Sequence, residues 1–274
     1  MCAYFLQLPR DDPHQQNSYK GCVMNKFPTV SIAAMIVVIC LVSSAAQANN
    51  GATPADSNAP PVKTPETDSS TGPVFNFSVT GATNYIFRGI SQTDNNPAIF
   101  GKAMVDYKDF YFGVGGENVD FSHRTEGEYD LSAGWKPTLD DFNFDLGWIR
   151  YGYINQLASV DADTDEFKAA VSHAFGPAHL GAAVFYTPNY FATDSDGVYG
   201  EVNAAYKIID DLSASGAIGR QHIGAGGDYD TWNIGGDYTV IKNIVVDLRY
   251  YDTDENHSNK LYGNHVVAAI KASF

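Results

Sequence analysis

From Val74 onward, polar and apolar residues alternate with a period of two. In Val74 to Arg88 one face carries Phe75, Phe77, Val79, Gly81, Thr83, Tyr85 and Phe87. The other carries Asn76, Ser78, Thr80, Ala82, Asn84, Ile86 and Arg88, and only Ile86 breaks its polar or small character. A strand turns successive side chains to opposite sides, so this pattern predicts strands with one apolar and one polar surface. Thr125 to Lys136 repeats it, with Tyr129, Leu131, Ala133 and Trp135 against Glu126, Glu128, Asp130 and Ser132. The start of Asp141 to Asn155 does so again. Twelve strands are predicted, at 74–88, 97–107, 110–119, 126–136, 141–154, 165–175, 178–188, 197–208, 211–222, 229–240, 243–252 and 263–274. Each has the roughly 9–11 residues that a tilted strand needs to cross the hydrocarbon of a bilayer, or somewhat more.

The connections add independent information. Those after even strands are short, such as Lys108-Asp109, Gly176-Pro177 and Ile241-Lys242. Those after odd strands are mostly longer, such as Gly89 to Asn96, Asn155 to Thr164 and Thr253 to Tyr262. Bacterial outer-membrane barrels alternate in this way, with short periplasmic turns and long outer loops. The last strand places Val266, Ala268, Ile270, Ala272 and Phe274 on one face, and the terminal Phe274 resembles the signal read by the barrel assembly machinery. In lipid every backbone polar group must be paired within the protein, which strands achieve only by closing the sheet. The fold expected is therefore all-β: a transmembrane, antiparallel, up-and-down barrel of about twelve strands. The alternative is a secreted β-sandwich with its apolar face inside; it shares the periodicity but gives no reason for the loop alternation.

Ahead of the barrel, Ile32 to Val42 is an apolar run preceded by Lys26 and followed by Ala46-Gln47-Ala48. Charge, short apolar core and A-x-A site predict a signal peptide at 24–48, cleaved after Ala48. The run is too short for a membrane-spanning helix. Residues 1–23 contain Asp11, Asp12 and Pro13, which fit no signal n-region, and read as an upstream extension that is not translated. Residues 49–73 are rich in Pro, Ala, Ser and Thr and read as a flexible tether, which leaves 74–274 for the barrel.

Composition narrows the function. The net charge is −15, and an acidic chain argues against nucleic acid as a partner. Cys2, Cys22 and Cys40 all precede the expected cleavage site, so the mature chain has no thiol for a disulfide, a metal or a nucleophile. No cofactor is expected. The polar face carries Arg88, Lys102, Asp106, Glu117, Glu128, Asp130, Asp145, Glu166, Lys168, Glu201, Lys207, Asp237, Asp247, Arg249 and Lys271 as candidate pore-lining residues, nine acids against six bases. Such a lumen is either a narrow wet channel with a modest cation preference or a salt-bridged plug. Tyr111, Tyr151, Tyr153, Tyr199 and Tyr251 also point inward.

Other candidates carry less. Asp161, Asp163, Asp165 and Glu166 begin like a calcium loop, but Glu166 occupies the glycine position and Ser172 the bidentate glutamate position. Arg150 and Arg220 fall on the lipid face near the outer rim, within reach of lipopolysaccharide phosphates. Ser122-His123, Ser172-His173 and His257-Ser258 are sequence neighbours, so on a strand each pair points to opposite faces and forms no nucleophile–base dyad. Enzyme activity is not expected.

The string Asn84-Tyr85-Ile86-Phe87-Arg88-Gly89-Ile90-Ser91-Gln92 resembles the opening signature of the TorF-type porins of proteobacteria. The segments Phe110 to Phe121 and Glu128 to Trp135, and the terminal Phe274, are similar to that family as well. The resemblance covers about residues 74 to 274. It implies an outer-membrane barrel of porin type and no known substrate. The function expected is passive diffusion of small hydrophilic solutes, in a barrel embedded in outer-membrane lipid and lipopolysaccharide. A non-conducting structural or adhesive barrel is the alternative.

Overall fold

The structure is a computed structural model that describes residues 72–121, 125–156, 162–255 and 259–274. The expected upstream extension, the signal peptide and nearly all of the tether lie outside the described residues, as do Asp161, His123 and His257.

Twelve strands form the wall. They are β1 (Val74–Ala82), β2 (Ala98–Tyr107), β3 (Phe110–Phe121), β4 (Thr125–Trp135), β5 (Phe142–Ile154), β6 (Thr164–Phe175), β7 (Ala178–Thr187), β8 (Gly197–Ile209), β9 (Leu212–Ile223), β10 (Tyr229–Ile241), β11 (Ile244–Thr253) and β12 (His265–Ser273). Each pairs antiparallel with its sequence neighbours, and β1 pairs with β12, so the barrel is closed. At that seam Val79 faces Ala272 and Gly81 faces Ile270. Phe77 and Phe274 exchange both backbone hydrogen bonds, at 3.0 and 2.8 Å, so the terminal residue is part of the closure. A two-residue strand, Thr138–Leu139, folds against the start of β5 inside one turn.

The faces follow the alternation. Phe75, Phe112, Leu146, Phe167, Val202, Ile218, Ile234, Leu248 and Val266 are large, apolar and exposed, and they lie all round the outer surface. A water-soluble protein rarely exposes so continuous an apolar surface, whereas a membrane barrel requires it. Several glycines are explained by tyrosines lying across them. A Cβ on Gly134 or Gly147 would overlap the Tyr111 side chain, and one on Gly152 would overlap Tyr129. An aromatic laid over a cross-strand glycine supplies the packing that the glycine lacks.

The first predicted strand needs correction. The wall strand ends at Ala82 and not at 88, and the chain resumes the wall only at Ala98. Residues 84–93 fold into the barrel, while Thr83 still bonds to Ala268 of β12 and 95–97 are exposed. Tyr85 and Phe87, expected on the lipid face, are inside: Tyr85 is buried, and the half-buried Phe87 ring stacks edge-on against Tyr151. The other eleven strands lie within two residues of their expected bounds.

Candidate functional site: the lumen and its inserted hairpin

Inside the barrel, Ile86–Phe87 and Ile90–Ser91 pair as a small hairpin joined by Arg88 and Gly89. Both joining residues have positive φ, 48° and 82°. Two such residues form the tight turn whose twist suits a two-residue hairpin. Glycine adopts this conformation without strain, whereas arginine is uncommon there. A Cβ on Gly89 would overlap the Thr231 and Thr253 side chains, so the tip is seated against β10 and β11. Local side chains satisfy the base of the hairpin. Asn84 Oδ1 accepts from Ser91 Oγ at 2.8 Å and from Thr93 Oγ1 at 3.0 Å, and Thr93 Oγ1 also bonds to the Asn96 carbonyl at 2.6 Å.

Arg88 anchors the tip to the far wall. Its Nη2 donates to Glu166 Oε2 at 2.8 Å and its Nη1 to Gln221 Oε1 at 3.1 Å. Arg88 and Glu166 side chains are each 2 % exposed. The guanidinium also lies over the rings of Phe87, Phe185 and Tyr199, at 4.7, 5.0 and 4.3 Å. Glu166 accepts further from Tyr151 and Thr187. A buried ion pair is tolerated when its remaining hydrogen-bonding groups are met, as they are at this glutamate. Ile86 packs with Tyr251, Val267, Ala269 and Ala82, while Ile90 packs with Tyr229, Leu261 and Tyr262. The hairpin thus touches strands on opposite sides and crosses the lumen toward the long-loop end.

The remaining candidates divide into bonded and water-reached groups. Lys168 pairs with Asp145 at 2.9 Å, and Tyr111 donates to the same aspartate at 3.1 Å. Arg249 pairs with Asp247 at 3.2 Å and also donates to Asn233 and Ser215. Glu201 accepts from Tyr199 and Asn203. By contrast Lys102 points into the lumen yet is exposed, and Asp106, Asp237 and Lys271 are half-exposed there. Lys207 lies near the short-turn end and pairs with Asp210 at 2.8 Å. The interior is therefore neither dry nor filled throughout.

Glu117, Glu128 and Asp130 come together. The β3–β4 register sets Glu117 directly opposite Glu128 and Gly115 opposite Asp130. One carboxylate oxygen from each lies within 4.8 Å of the others. Tyr85 of the inserted segment donates to Glu128 at 3.2 Å. Lys102 stands opposite Gly115 on the other side, so the missing side chain leaves it a path toward Asp130.

Several residues escaped the sequence reading. Phe185, Thr187 and Gln221 hold Arg88 and Glu166 but carry no charge, so a charge-based search passes over them. Tyr190 and Phe191 come from a loop. The one advance signal was Ile86, whose break in the polar face marks the chain leaving the wall.

The rim candidates are occupied within the chain. Arg150 pairs with Asp165 at 2.6 Å and Asp163 at 3.1 Å. Glu166 of the same run turns away from these acids to Arg88. Arg220 pairs with Asp230 at 2.8 Å. The His222 ring and the Ile223 amide hold the Asp228 carboxyl below its usual range. Ser172 and His173 do face opposite sides, and the His173 ring lies against Phe142 and Phe175.

Three solved barrels share the architecture. A KdgM porin aligns at 10 % identity and TM-score 0.52, covering 73 % of this chain and 99 % of its own. A KdgM porin in complex with disordered oligogalacturonate aligns at 12 % and 0.51, covering 73 % and 99 %. A NanC porin in a rhombohedral crystal form aligns at 11 % and 0.51, covering 72 % and 98 %. At this identity the likeness is one of fold. No curated protein matches the sequence. With its closed twelve-strand wall and apolar outer belt, the molecule is a β-barrel of the bacterial outer membrane. The Gcw_chp family model, described as a bacterial protein of unknown function, matches residues 66–274, and the chain belongs to that family.

Proposed function

We propose that this barrel is a TorF-type porin: a narrow channel for passive diffusion of small hydrophilic solutes, with a modest preference for cations. The observation that carries the reading is the exposure of Lys102 inside the barrel. A charged side chain in contact with solvent within the wall means a wet lumen, which a plug of packed side chains would not leave. The inserted hairpin forms the constriction, and the carboxylates beneath it outnumber the nearby base. Lipopolysaccharide surrounds the long-loop rim, and Phe274, exposed at the closing seam, presents the assembly signal.

The test is conductance of the purified protein in planar bilayers. The wild type is expected to conduct and to favour potassium over chloride. Changing Glu117 and Glu128 to Gln and Asp130 to Asn lowers that preference while the barrel stays heat-modifiable on gels. Anion selectivity of the wild type overturns the charge argument. Absence of conductance, also in a chain lacking 49–73, replaces the porin by a structural or adhesive barrel.

A further inference from the structure

We infer that the cavity on the long-loop side of the hairpin is a binding site for a small organic ammonium ion. Its charged head meets the lumen carboxylates and its carbon skeleton lies on aromatic rings. The inference deepens the channel reading by naming a solute class, and it rests on that reading only for transport, not for binding.

The cavity measures about 60 Å³, several times what a single water needs. Rings of Phe87, Tyr151, Tyr153, Tyr190 and Phe191 form much of its lining, and Glu128 and Glu166 bring carboxylates to it. The rings are braced from behind: Phe191 stands edge-on to Phe121 at 5.4 Å and to Tyr153 at 5.1 Å. Such a wall is fixed before a ligand arrives, which lowers the ordering cost of binding. Aromatic faces attract cations through the ring quadrupole, most strongly where water is excluded.

Charge decides which ligand the site suits. Among the described residues Arg88 is the one base in the lining, and it is already committed to Glu166 and Gln221. Glu128 is not neutralised in this way, because its bond from Tyr85 comes from a neutral hydroxyl. Beside it, outside the cavity, stand Glu117, directly opposite across the strands, and Asp130. An ammonium group seated on the rings supplies the counter-charge and the donor that Glu128 lacks in the cavity. Among the described lining residues, a carboxylated solute meets acids with no uncommitted base to receive it. A bare inorganic cation leaves the rings unused.

The experiment is isothermal titration of the folded barrel in detergent with n-pentylammonium, n-pentanol and potassium. Pentylammonium is expected to bind at least about tenfold more tightly than the equally long neutral alcohol, and more tightly than potassium. Phe191→Leu and Tyr153→Leu are each expected to weaken it about three- to thirtyfold, as the loss of one cation–ring contact does. Glu128→Gln with Asp130→Asn is expected to abolish the advantage over pentanol. Heat-modifiable gel mobility checks that each variant is folded. Equal binding of amine and alcohol, or loss of binding in neither set of variants, overturns the inference. Because titration needs no current, the two readings fail separately: a conducting channel without amine preference refutes the site alone, and an amine-binding barrel without conductance refutes the channel alone.

Discussion

Val74–Ala82 and the segment that follows it, 83–97, are continuous in sequence and similar in pattern, yet they do opposite work. In the first, backbone groups pair sideways with β2 and β12, and the apolar face meets lipid. In the second, the ladder is the two-residue hairpin, local side chains satisfy its base, and from Asn84 to Thr93 polar and apolar residues alike are enclosed. The difference teaches that alternation records two environments and not a wall as such. Lipid and lumen give it to a strand. In the inserted segment, Arg88 faces a waiting carboxylate while its neighbour Phe87 stacks on Tyr151, and the same alternation results.

The comparison breaks most severely at Arg88. Arg88→Leu leaves Glu166 buried without its counter-charge, a loss of about 3–5 kcal/mol for an ion pair so enclosed. The temperature at which the barrel loses its compact gel mobility should fall and the conductance rise as the hairpin leaves its seat. Adding Glu166→Gln should restore a large part of the stability. If the single variant is as stable as the wild type, the hairpin is not anchored as described.

The wall gives the next largest effect. Ile218 is 66 % exposed near the middle of β9, and its neighbour Ala217 turns to the lumen. Ile218→Lys should cost about 2–4 kcal/mol, as a lysine at the bilayer midplane does. Ala217→Lys should cost far less and shift the reversal potential toward anions. Urea unfolding in lipid vesicles measures the first, and bilayer recording measures the second. Equal costs at the two adjacent residues would contradict the assignment of faces.

Gly89→Ala sharpens the comparison most finely. It adds one methyl to a positive-φ residue wedged between Thr231 and Thr253, and is expected to cost about 1–3 kcal/mol. The hairpin should loosen while the wall persists, seen as larger or noisier current with unchanged strand content by circular dichroism. An unchanged current would show that the tip has room to spare.

Eleven wall strands and the alternating loops were legible because lipid and backbone pairing impose rules that each residue obeys locally. The positions of Asp145, Lys168, Asp247 and Arg249 on the inner face followed from parity alone. Their pairing did not: Lys168 with Asp145 depends on the β5–β6 register, and register is a relation between strands.

By itself, then, the sequence determined a closed membrane barrel, its count of strands, and, outside the inserted segment with Tyr85 and Phe87, which residues meet lipid. Tertiary structure alone decided that 84–93 turns inward, that Arg88 finds Glu166, 78 residues away in sequence, and that Tyr153 and Phe191 wall a cavity with Glu128 and Glu166. The physical reason is range. Alternation reports each residue's own surroundings, whereas a segment crossing a lumen is held by groups from many strands. Only closing the barrel brings those groups within bonding distance.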